Sequence, residues 1–471
     1  MKKNLLYFFL CLILMLVLCI SVSADTTSGD YKYRELDDGT IMITEYNGTD
    51  TDLVLPETLD GFTVSTIDNY FSLSDPMKEL TSLTIPDTLT IIEPDALRFT
   101  PKLTEIHVSK NHPTLAFIDG VLYNKEHKSI LRYLQANTAE TFDIPDGIKL
   151  VEEGAFFRSQ LVTVNIPGSV EQIDREGFNQ CDQLKEFNMS EGLKTIGRAV
   201  IFNCSSLEEI TFPSTVSDVG ENNCTACDNL KEIRVDPANP VFEVIDGALI
   251  NKRDGLLIAY PRQREAEVCT IPEGVKRIGD NAFHLNKFIK EIHFPDTLVS
   301  LGGHAFAYCD NLTEIIMPDS VTEMENNVFD ACYNVHTLHI SSGLTSIKNN
   351  FSGLAITEVD IPDTVTEING SFSNLNNVTS IIVPSGVTKI GSNSFYYCKN
   401  LSSLTIPASV TEIGNIKYIF QNNAEDFTVK VEAGSYAEQY CKDNQVKYEV
   451  IDGESAAAPE DDDPFSWLNN D

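Results

Sequence analysis

The fold is decided by a motif that residues 295–340 contain twice in succession, PDTLVSLGGHAFAYCDNLTEIIM and PDSVTEMENNVFDACYNVHTLHI. Each copy has 23 residues, and the copies begin at Pro295 and Pro318. Counted from the proline, apolar residues recur at plus three, plus six and plus eleven, and a cysteine recurs at plus fourteen. A period of this length with fixed apolar positions indicates a solenoid, because one coil can bury its apolar edge only against the next coil.

The same register extends along most of the chain. The position of the proline, here called the Pro slot, is filled by Ser or Asp in four of the units. Most consecutive slots are 21 to 23 residues apart, which is too regular for chance. The fifteen slots are Pro56, Pro86, Ser109, Pro145, Pro167, Ser190, Pro213, Asp236, Pro272, Pro295, Pro318, Ser341, Pro362, Pro384 and Pro407.

The residues before each Pro slot follow the apolar pattern Leu-x-x-Leu-x-Ile. Before Pro318, its three apolar positions are Leu312, Ile315 and Met317. This pattern is typical of a short strand with one buried face. Proline donates no backbone hydrogen bond and therefore ends the strand, and the turn-forming residues after it return the chain along the other side. We expect a β-rich solenoid, a curved stack of coils with one long parallel sheet, hairpin insertions and capped ends.

Two units, near residues 109–145 and 236–272, are longer than the others because of matching segments. The segment Ile118-Asp119-Gly120-Val121-Leu122-Tyr123 corresponds to Ile245-Asp246-Gly247-Ala248-Leu249-Ile250, 127 residues later. Each segment predicts a β-hairpin on the side of the stack, with a turn near residues 125–128 or 252–255. The equal spacing suggests a duplication.

The two ends of the chain differ from the repeats. Residues 1–24 have two lysines, an apolar run and the small residue Ala24, which predicts a signal peptide; an uncleaved membrane anchor is the alternative. We expect an N-terminal β-hairpin cap at 25–55, the solenoid at 56–425 and a C-terminal β-α-β cap at 426–452. Residues 453–471 predict a disordered acidic tail, which contains the only tryptophan, Trp467.

The repeat resembles the BspA-type class of bacterial leucine-rich repeats. Residues 271–283 and 383–401 carry the motif best, and the N-terminal segment 36–40 is similar to the class as well. The resemblance covers roughly residues 31–451 and implies a leucine-rich-repeat solenoid. Proteins of this class are typically exported or displayed at the cell surface, and several are associated with adhesion, so the resemblance implies a secreted or cell-surface protein. The ligand does not transfer between members of such a class.

The charge of the chain excludes several classes of function. The formal net charge is −36, and removal of residues 1–24 leaves 32 Lys and Arg against 70 Asp and Glu, a net charge of −38. Such a surface repels nucleic acid and anionic lipid. The sequence contains no Gly-x-Ser-x-Gly motif, phosphate loop or His-Glu-x-x-His motif. We therefore expect no enzyme, no cofactor, no catalytic residue and no metal site.

Nine cysteines follow residue 24, and six of them occupy the plus-fourteen position. In leucine-rich repeats this position holds a small inward side chain that bonds the turn backbone, so the structural interpretation is favoured. Cys224 and Cys227 form the one Cys-x-x-Cys, with Cys224 in place of the plus-eleven phenylalanine. They are the candidates for a local disulfide, since a single such pair supplies only two of the four ligands of zinc.

Glutamates recur four residues before the Pro slot, and histidines recur two residues before it. Both positions should face the concave surface, where they would either solubilise an open sheet or form an acidic groove for a basic peptide or a cation. The candidate binding residues are Glu105, Glu186, Glu209, Glu232, Glu291, Glu314, Glu358, His293 and His339.

These features lead to one functional hypothesis and one alternative. The hypothesis is an exported, non-enzymatic, monomeric protein that binds another protein on its concave or lateral face, as in adhesion to host or microbial surfaces. It rests on the large repeat surface and on the missing catalytic motifs. The alternative is a structural spacer or envelope component without a specific ligand.

Overall fold

The structure, a computed structural model, describes residues 25–415 and 419–451. The chain forms two compact units, Met1–Ser205 and Ser206–Asp471. The predicted signal peptide and the predicted acidic tail lie outside the described residues. Within the described residues, no helix is both long enough and apolar enough to cross a membrane.

Both units are built from coils that contain two short strands each. One strand lies directly before the Pro slot, as Glu291–His293 does before Pro295, and the other follows it, as Ser300–Leu301 does. Coils 23 residues apart pair in parallel through both strands, for example Ser300 with Glu323. We call the strands before the Pro slot the front row and those after it the back row.

The β solenoid that the repeats predict is confirmed, but its sheets differ from the expected single long sheet. The front row is divided into several shorter sheets, and the back row was not predicted. Most back-row strands have two residues, of which one, such as Leu301 or Ile278, is buried. Two residues are too few to produce a visible alternation of polarity, so this row has no sequence signal of its own.

The first unit begins with an antiparallel sheet and continues with regular coils. Its N-terminal strands are Thr26–Ser28, Tyr31–Glu35, Ile41–Tyr46, Thr58–Leu59 and Phe62–Ile67, followed by 3₁₀ helices Phe71–Leu73 and Asp75–Glu79. Its front-row strands are Asp52–Val54, Ser82–Ile85, Glu105–Val108, Thr141–Asp143, Thr163–Ile166 and Glu186–Met189. Its back-row strands are Ile91–Ile92, Leu150–Val151, Gln172–Ile173 and Thr195–Ile196.

The second unit has the same two rows. Its front-row strands are Glu209–Phe212, Glu232–Val235, Val268–Thr270, Glu291–His293, Glu314–Ile316, Thr337–His339, Ser380–Ile382, Ser403–Ile406, Thr428–Glu432 and Tyr448–Ile451. Its back-row strands are Asp218–Val219, Arg277–Ile278, Ser300–Leu301, Glu323–Met324, Ser346–Lys348, Glu367–Asn369, Lys389–Ile390 and Glu412–Ile413.

Each insertion is a three-stranded antiparallel sheet, where the sequence predicted a single hairpin. The first insertion has the strands Leu115–Ile118, Val121–Asn124 and Ser129–Tyr133, and the second has Phe242–Ile245, Ala248–Asn251 and Leu256–Ala259. The third strand of each pairs in parallel with the next back-row strand. An insertion therefore replaces one back-row strand, and the front-row sheet ends at the same coil.

The core of the second unit is a ladder of stacked aromatic rings from the plus-eleven position. Neighbouring rings are nearly parallel, with centroids 4.8 Å apart for Phe283 and Phe306 and 5.2 Å apart for Phe306 and Phe329. Tyr260 of the second insertion takes the same place and stacks on Phe283 at 4.8 Å. The ladder fixes the register of successive coils because each ring packs between two others.

A strand, a helix and a strand end the described chain at Thr428–Glu432, Tyr436–Asp443 and Tyr448–Ile451. Ser435 caps the helix by accepting a hydrogen bond from the backbone N–H of Glu438, and the Glu438 side chain accepts one from the N–H of Gly434. This exchange satisfies two donors that a helix start leaves open. Ala437 and Cys441 of the helix are buried against the last coils.

Candidate binding face

The front-row strands present alternate residues to solvent. In Glu209–Phe212, Ile210 and Phe212 are buried, whereas Glu209 and Thr211 are exposed. The residues four and two before the Pro slot therefore share the outward face, as the sequence predicted from the period of two. The register pairs each residue with the residue of the next coil that lies at the same distance from its Pro slot. Residues at equivalent positions therefore form columns on this face. This outward side of the front row is the candidate binding face.

In the first unit, the two predicted glutamates lie on different sheets of the front row. Glu105 pairs with Ser82, and its Oε1 lies 3.7 Å from Nδ1 of His107. Glu186 pairs with Thr163, whose hydroxyl donates to Oε2 of Glu186 at 3.2 Å. The structure does not bring the two carboxylates together, so this unit has no continuous acidic stripe on its front face.

In the second unit, Glu209 and Glu232 are direct neighbours in the register. Arg234 lies between them, with its Nη1 2.9 Å from Oε2 of Glu209 and its Nη2 2.5 Å from Oε2 of Glu232. The hydrogen bond to Glu232, together with both negative charges, raises the pKa of Arg234. Arg234 therefore offsets one of the two negative charges in this part of the predicted stripe, a pairing that the positions of the glutamates alone did not indicate.

The following coils of the second unit carry acidic side chains without basic partners. Among the described residues, Glu314, Glu358 and Asp360 form no ion pair with Lys or Arg, and Glu291 contacts only His293, at 3.8 Å between Oε2 and Nε2. We call this set the central acidic face. Its members are Glu291, His293, Glu314, Ile316, His339, Glu358 and Asp360.

The central acidic face also has an apolar centre. Ile316 occupies the position two before the Pro slot and is 42% exposed, although it belongs to a strand. By contrast, the adjacent column five before the Pro slot is paired, as Lys290 is with Glu267 at 2.7 Å. Glu291 and Glu314 therefore have no Lys or Arg partner among the described residues, and Glu314 lies on the same strand as the exposed Ile316.

The cysteines contribute no reactive group to this face. All nine described cysteines are buried and free of disulfides, and the described residues contain no cluster of His, Cys, Asp and Glu that could hold a metal. At plus fourteen, the Sγ of Cys309 donates to the carbonyl of Phe283 at 3.2 Å, and the Sγ of Cys332 donates to that of Phe306 at 3.1 Å. These thiols hold neighbouring coils together.

The predicted disulfide candidates, Cys224 and Cys227, are free thiols in the structure. Burial, and to a smaller extent the neighbouring Cys227, raises the pKa of Cys224 well above its usual value, so this thiol stays protonated. Cys224 stands where other coils have a phenylalanine, next to a cavity of only about 10 Å³ that Tyr260, Arg262 and His284 also line. This volume is below the roughly 300 Å³ that small-molecule sites begin at, and the cavity is not a ligand pocket.

Buried arginines beside the insertions are the polar feature that the sequence analysis missed. Arg132 is buried, and its guanidinium donates to the carbonyls of Gly154 and Pro94; burial lowers its pKa to about 10. Arg98 pairs with Asp95 at 3.0 Å and lies 4.0 Å from the ring centroid of Phe157. These contacts attach the first insertion to the coils around it and present no group to a ligand.

In the second unit, Arg262 attaches the second insertion to the coils around it. Its guanidinium pairs with Asp228, and its Nε donates to the carbonyl of His284 at 3.2 Å. Burial, followed by the nearby Arg262 and His304, lowers the pKa of His284 to about 4, so the imidazole is neutral around pH 7. In the sequence of a highly charged chain, a single arginine resembles a surface residue. The sequence analysis therefore could not identify these buried arginines.

Comparisons with known proteins agree with this architecture. The family profile described as BspA type leucine-rich repeat region matches six copies, over residues 63–124, 128–243, 260–371 and 348–448. A leucine-rich repeat protein from Eubacterium ventriosum is 19% identical, with a TM-score of 0.50, over 84% of this chain and 94% of that one. No curated protein sequence matches the chain.

Two further solved structures are similar to the chain over most of its length. The pneumococcal vaccine antigen PcpA is 18% identical, with a TM-score of 0.47, over 91% of this chain and 99% of its own. A leucine-rich cell surface protein from Faecalibacterium prausnitzii is 22% identical, with a TM-score of 0.41, over 91% and 98%. At these identities, the structural matches bear on the fold alone.

Proposed function

Because the chain belongs to the BspA-type leucine-rich repeat family, we propose that it is an exported, non-enzymatic protein that binds another protein through its front-row face. The observation that carries the proposal is the central acidic face, where Glu314 lies on the same strand as the exposed Ile316 and Glu291 lies on the preceding coil. The partner would present a segment with lysines or arginines and at least one apolar side chain. Adhesion to a host or microbial surface is the corresponding role, with the protein acting as a monomer.

The arrangement of charge supports a binding role for this part of the face. A carboxylate that only solubilises a sheet gains from a neighbouring cation, as Glu267 does from Lys290, the residue before Glu291, at 2.7 Å. Glu314 and Glu358 have none among the described residues. Unpaired charge on a surface steers an oppositely charged partner and fixes its register.

Export and the absence of catalysis are parts of the same proposal. The sequence of residues 1–24 has the composition of a signal peptide, and exported proteins are usual in this family. The most reactive residue types in the described chain, the cysteines, are buried and used in packing. Together, these features support a non-catalytic function at the cell surface.

The test is a binding screen with the protein lacking residues 1–24 against purified matrix and microbial surface proteins at about 1 μM, which corresponds to about −8 kcal/mol. We expect at least one partner. The variant Glu314→Lys/Glu358→Lys should then weaken binding at least tenfold, whereas Glu425→Lys, an exposed turn carboxylate without an ion pair among the described residues, should not.

Three outcomes of this screen are distinguishable. Loss of binding in the double variant alone supports the central acidic face as the binding site. Unchanged binding in both variants moves the site elsewhere on the repeat and contradicts the assignment of the face. No partner at all would contradict the binding proposal and leave the structural spacer as the function of the chain.

A further inference from the structure

The last strand of the described chain is an edge strand. Tyr448–Ile451 is the outermost member of the sheet that also contains Ser380–Ile382, Ser403–Ile406 and Thr428–Glu432. It pairs on one side only, with Thr428–Glu432. Its other side has no partner among the described residues, which leaves backbone donors and acceptors open at the end of the stack.

This end also exposes apolar side chains. Val450 pairs with Val431, which is fully buried, yet Val450 itself is 44% exposed. Tyr436, the first residue of the helix, is 45% exposed and follows the turn after Glu432, whose partner in the register is Ile451. Val450 lies on the same face of the last strand as Tyr448, which is half-buried against the core, and Tyr436 belongs to the helix that contacts this strand; we call these three residues the end patch.

The chain continues directly from this patch for twenty residues, 452–471, which lie outside the described residues. This segment contains seven Asp and Glu residues, no Lys or Arg, and one apolar group, Phe465-Ser466-Trp467-Leu468. Thirteen residues separate Ile451 from Phe465, and the backbone geometry of that many residues allows a span of at most about 45 Å. The aromatic group can therefore reach the end patch easily.

We propose that the end patch is the docking site of the chain's own C-terminal segment, with Phe465 and Trp467 covering Val450 and Tyr436. A short tether gives the aromatic group an effective concentration in the millimolar range, so a weak contact is sufficient. Lys447, which precedes Tyr448, forms no ion pair among the described residues and donates to the carbonyl of Asp426 at 3.1 Å, so it is the candidate partner for the acidic run Asp461–Asp463.

Trp467 makes the proposal directly measurable because it is the only tryptophan of the chain. We expect its fluorescence in the full chain to be shifted to shorter wavelength relative to a synthetic peptide of residues 452–471. Quenching by acrylamide should be several-fold weaker in the full chain than in the peptide. Equal emission and equal quenching in the two samples would overturn the proposal, whatever the variants show.

Variants locate the contact. Val450→Asp should restore peptide-like quenching, and Lys447→Glu should increase quenching partly, while Val54→Asp, at an exposed valine of the first unit, should leave it unchanged. Far-ultraviolet circular dichroism checks that each variant is folded. An equal effect of Val54→Asp would contradict a specific patch, and a shift that grows with protein concentration would assign the contact to a second copy instead.

Discussion

At the scale of the residue, the plus-fourteen position selects a short side chain that can donate a hydrogen bond inward. Cys332 donates to the carbonyl of Phe306, and Thr100, at the same position of another coil, donates to Leu97 at 3.0 Å. Asn286 fills the position as well, and its Nδ2 donates to the carbonyl of Pro261 in the preceding coil at 3.4 Å. The Phe306 carbonyl also accepts from the backbone N–H of Cys309 at 3.3 Å, so the recurring cysteine is explained by a second hydrogen bond that links neighbouring coils.

Replacing one of these thiols tests that explanation. Cys332→Ala removes the donor to the Phe306 carbonyl and leaves a small void, so we expect a loss of about 1–3 kcal/mol in the free energy of unfolding. Cys332→Ser keeps a donor in the same place and should lose less. Urea unfolding of the two variants measures the difference, and an alanine variant at least as stable as the serine variant would refute the hydrogen-bond explanation.

The redox state of the cysteines is a second question at this scale. The chain after residue 24 contains nine cysteines, and burial raises the pKa of Cys332 to about 12 and that of Cys398 to about 11. We expect no reaction with a thiol reagent in the folded protein at about pH 8, and nine titratable thiols after denaturation without reductant. A count of seven would restore the predicted Cys224–Cys227 disulfide.

At the scale of the element, the sequence predicts strands where the polarity pattern is long enough to read. The front-row strands and the positions of both insertions followed from the Pro slots and from the repeated Ile-Asp-Gly segment. The back row did not, because strands such as Ser300–Leu301 are too short to alternate visibly. The anchoring of each insertion by a buried arginine, Arg132 or Arg262, depends on contacts across 22 to 38 residues that no local pattern contains.

The first turn of each insertion requires a left-handed backbone. In the first insertion, Gly120 has φ +80°, and a Cβ there would lie 2.5 Å from Nδ2 of Asn137. Gly39, in the turn between the N-terminal strands Tyr31–Glu35 and Ile41–Tyr46, is a comparison, since it has φ +81° and a Cβ there would meet nothing within 4 Å. Gly39→Ala should therefore cost only the backbone strain, about 1–2 kcal/mol. Gly120→Ala should cost more, because Asn137 must also leave its hydrogen bond to the Asp119 carbonyl.

Thermal unfolding of the two glycine variants, followed by circular dichroism, gives the comparison. The two positions have nearly the same φ and lie in the same unit, so the difference between them reports the crowding at the insertion alone. Equal losses would show that Asn137 adapts freely. In that case the hydrogen bond from Asn137 would not contribute to holding the turn.

At the scale of the whole molecule, the excess of acid is not distributed evenly over its surface. The sequence shows which glutamates share a register position, since such positions are visible in a repeat. It could not show which members are neutralised, because Arg234 reaches Glu209 across the coil boundary, 25 residues away. The distinction between the paired glutamates and the central acidic face required side-chain positions.

That distinction predicts opposite effects on stability for two sets of matched substitutions in the second unit. Glu291→Gln/Glu314→Gln/Glu358→Gln removes two like charges from neighbouring coils and a third from two coils further on, and each relieved repulsion contributes a few tenths of a kcal/mol. We expect this triple variant to be as stable as the unsubstituted protein or more stable at about 0.01 M salt. The advantage should shrink at about 0.15 M salt, where the Debye length falls from roughly 30 Å to roughly 8 Å.

Glu209→Gln/Glu232→Gln is the control, since it removes the partners of Arg234 and should lower the unfolding temperature. Thermal unfolding at both salt concentrations measures all variants. A triple variant that is less stable than the unsubstituted protein would mean that these carboxylates have stabilising partners after all. A triple variant that is more stable yet no longer binds its partner would show that the central acidic face is kept at the expense of stability, as expected of a binding surface.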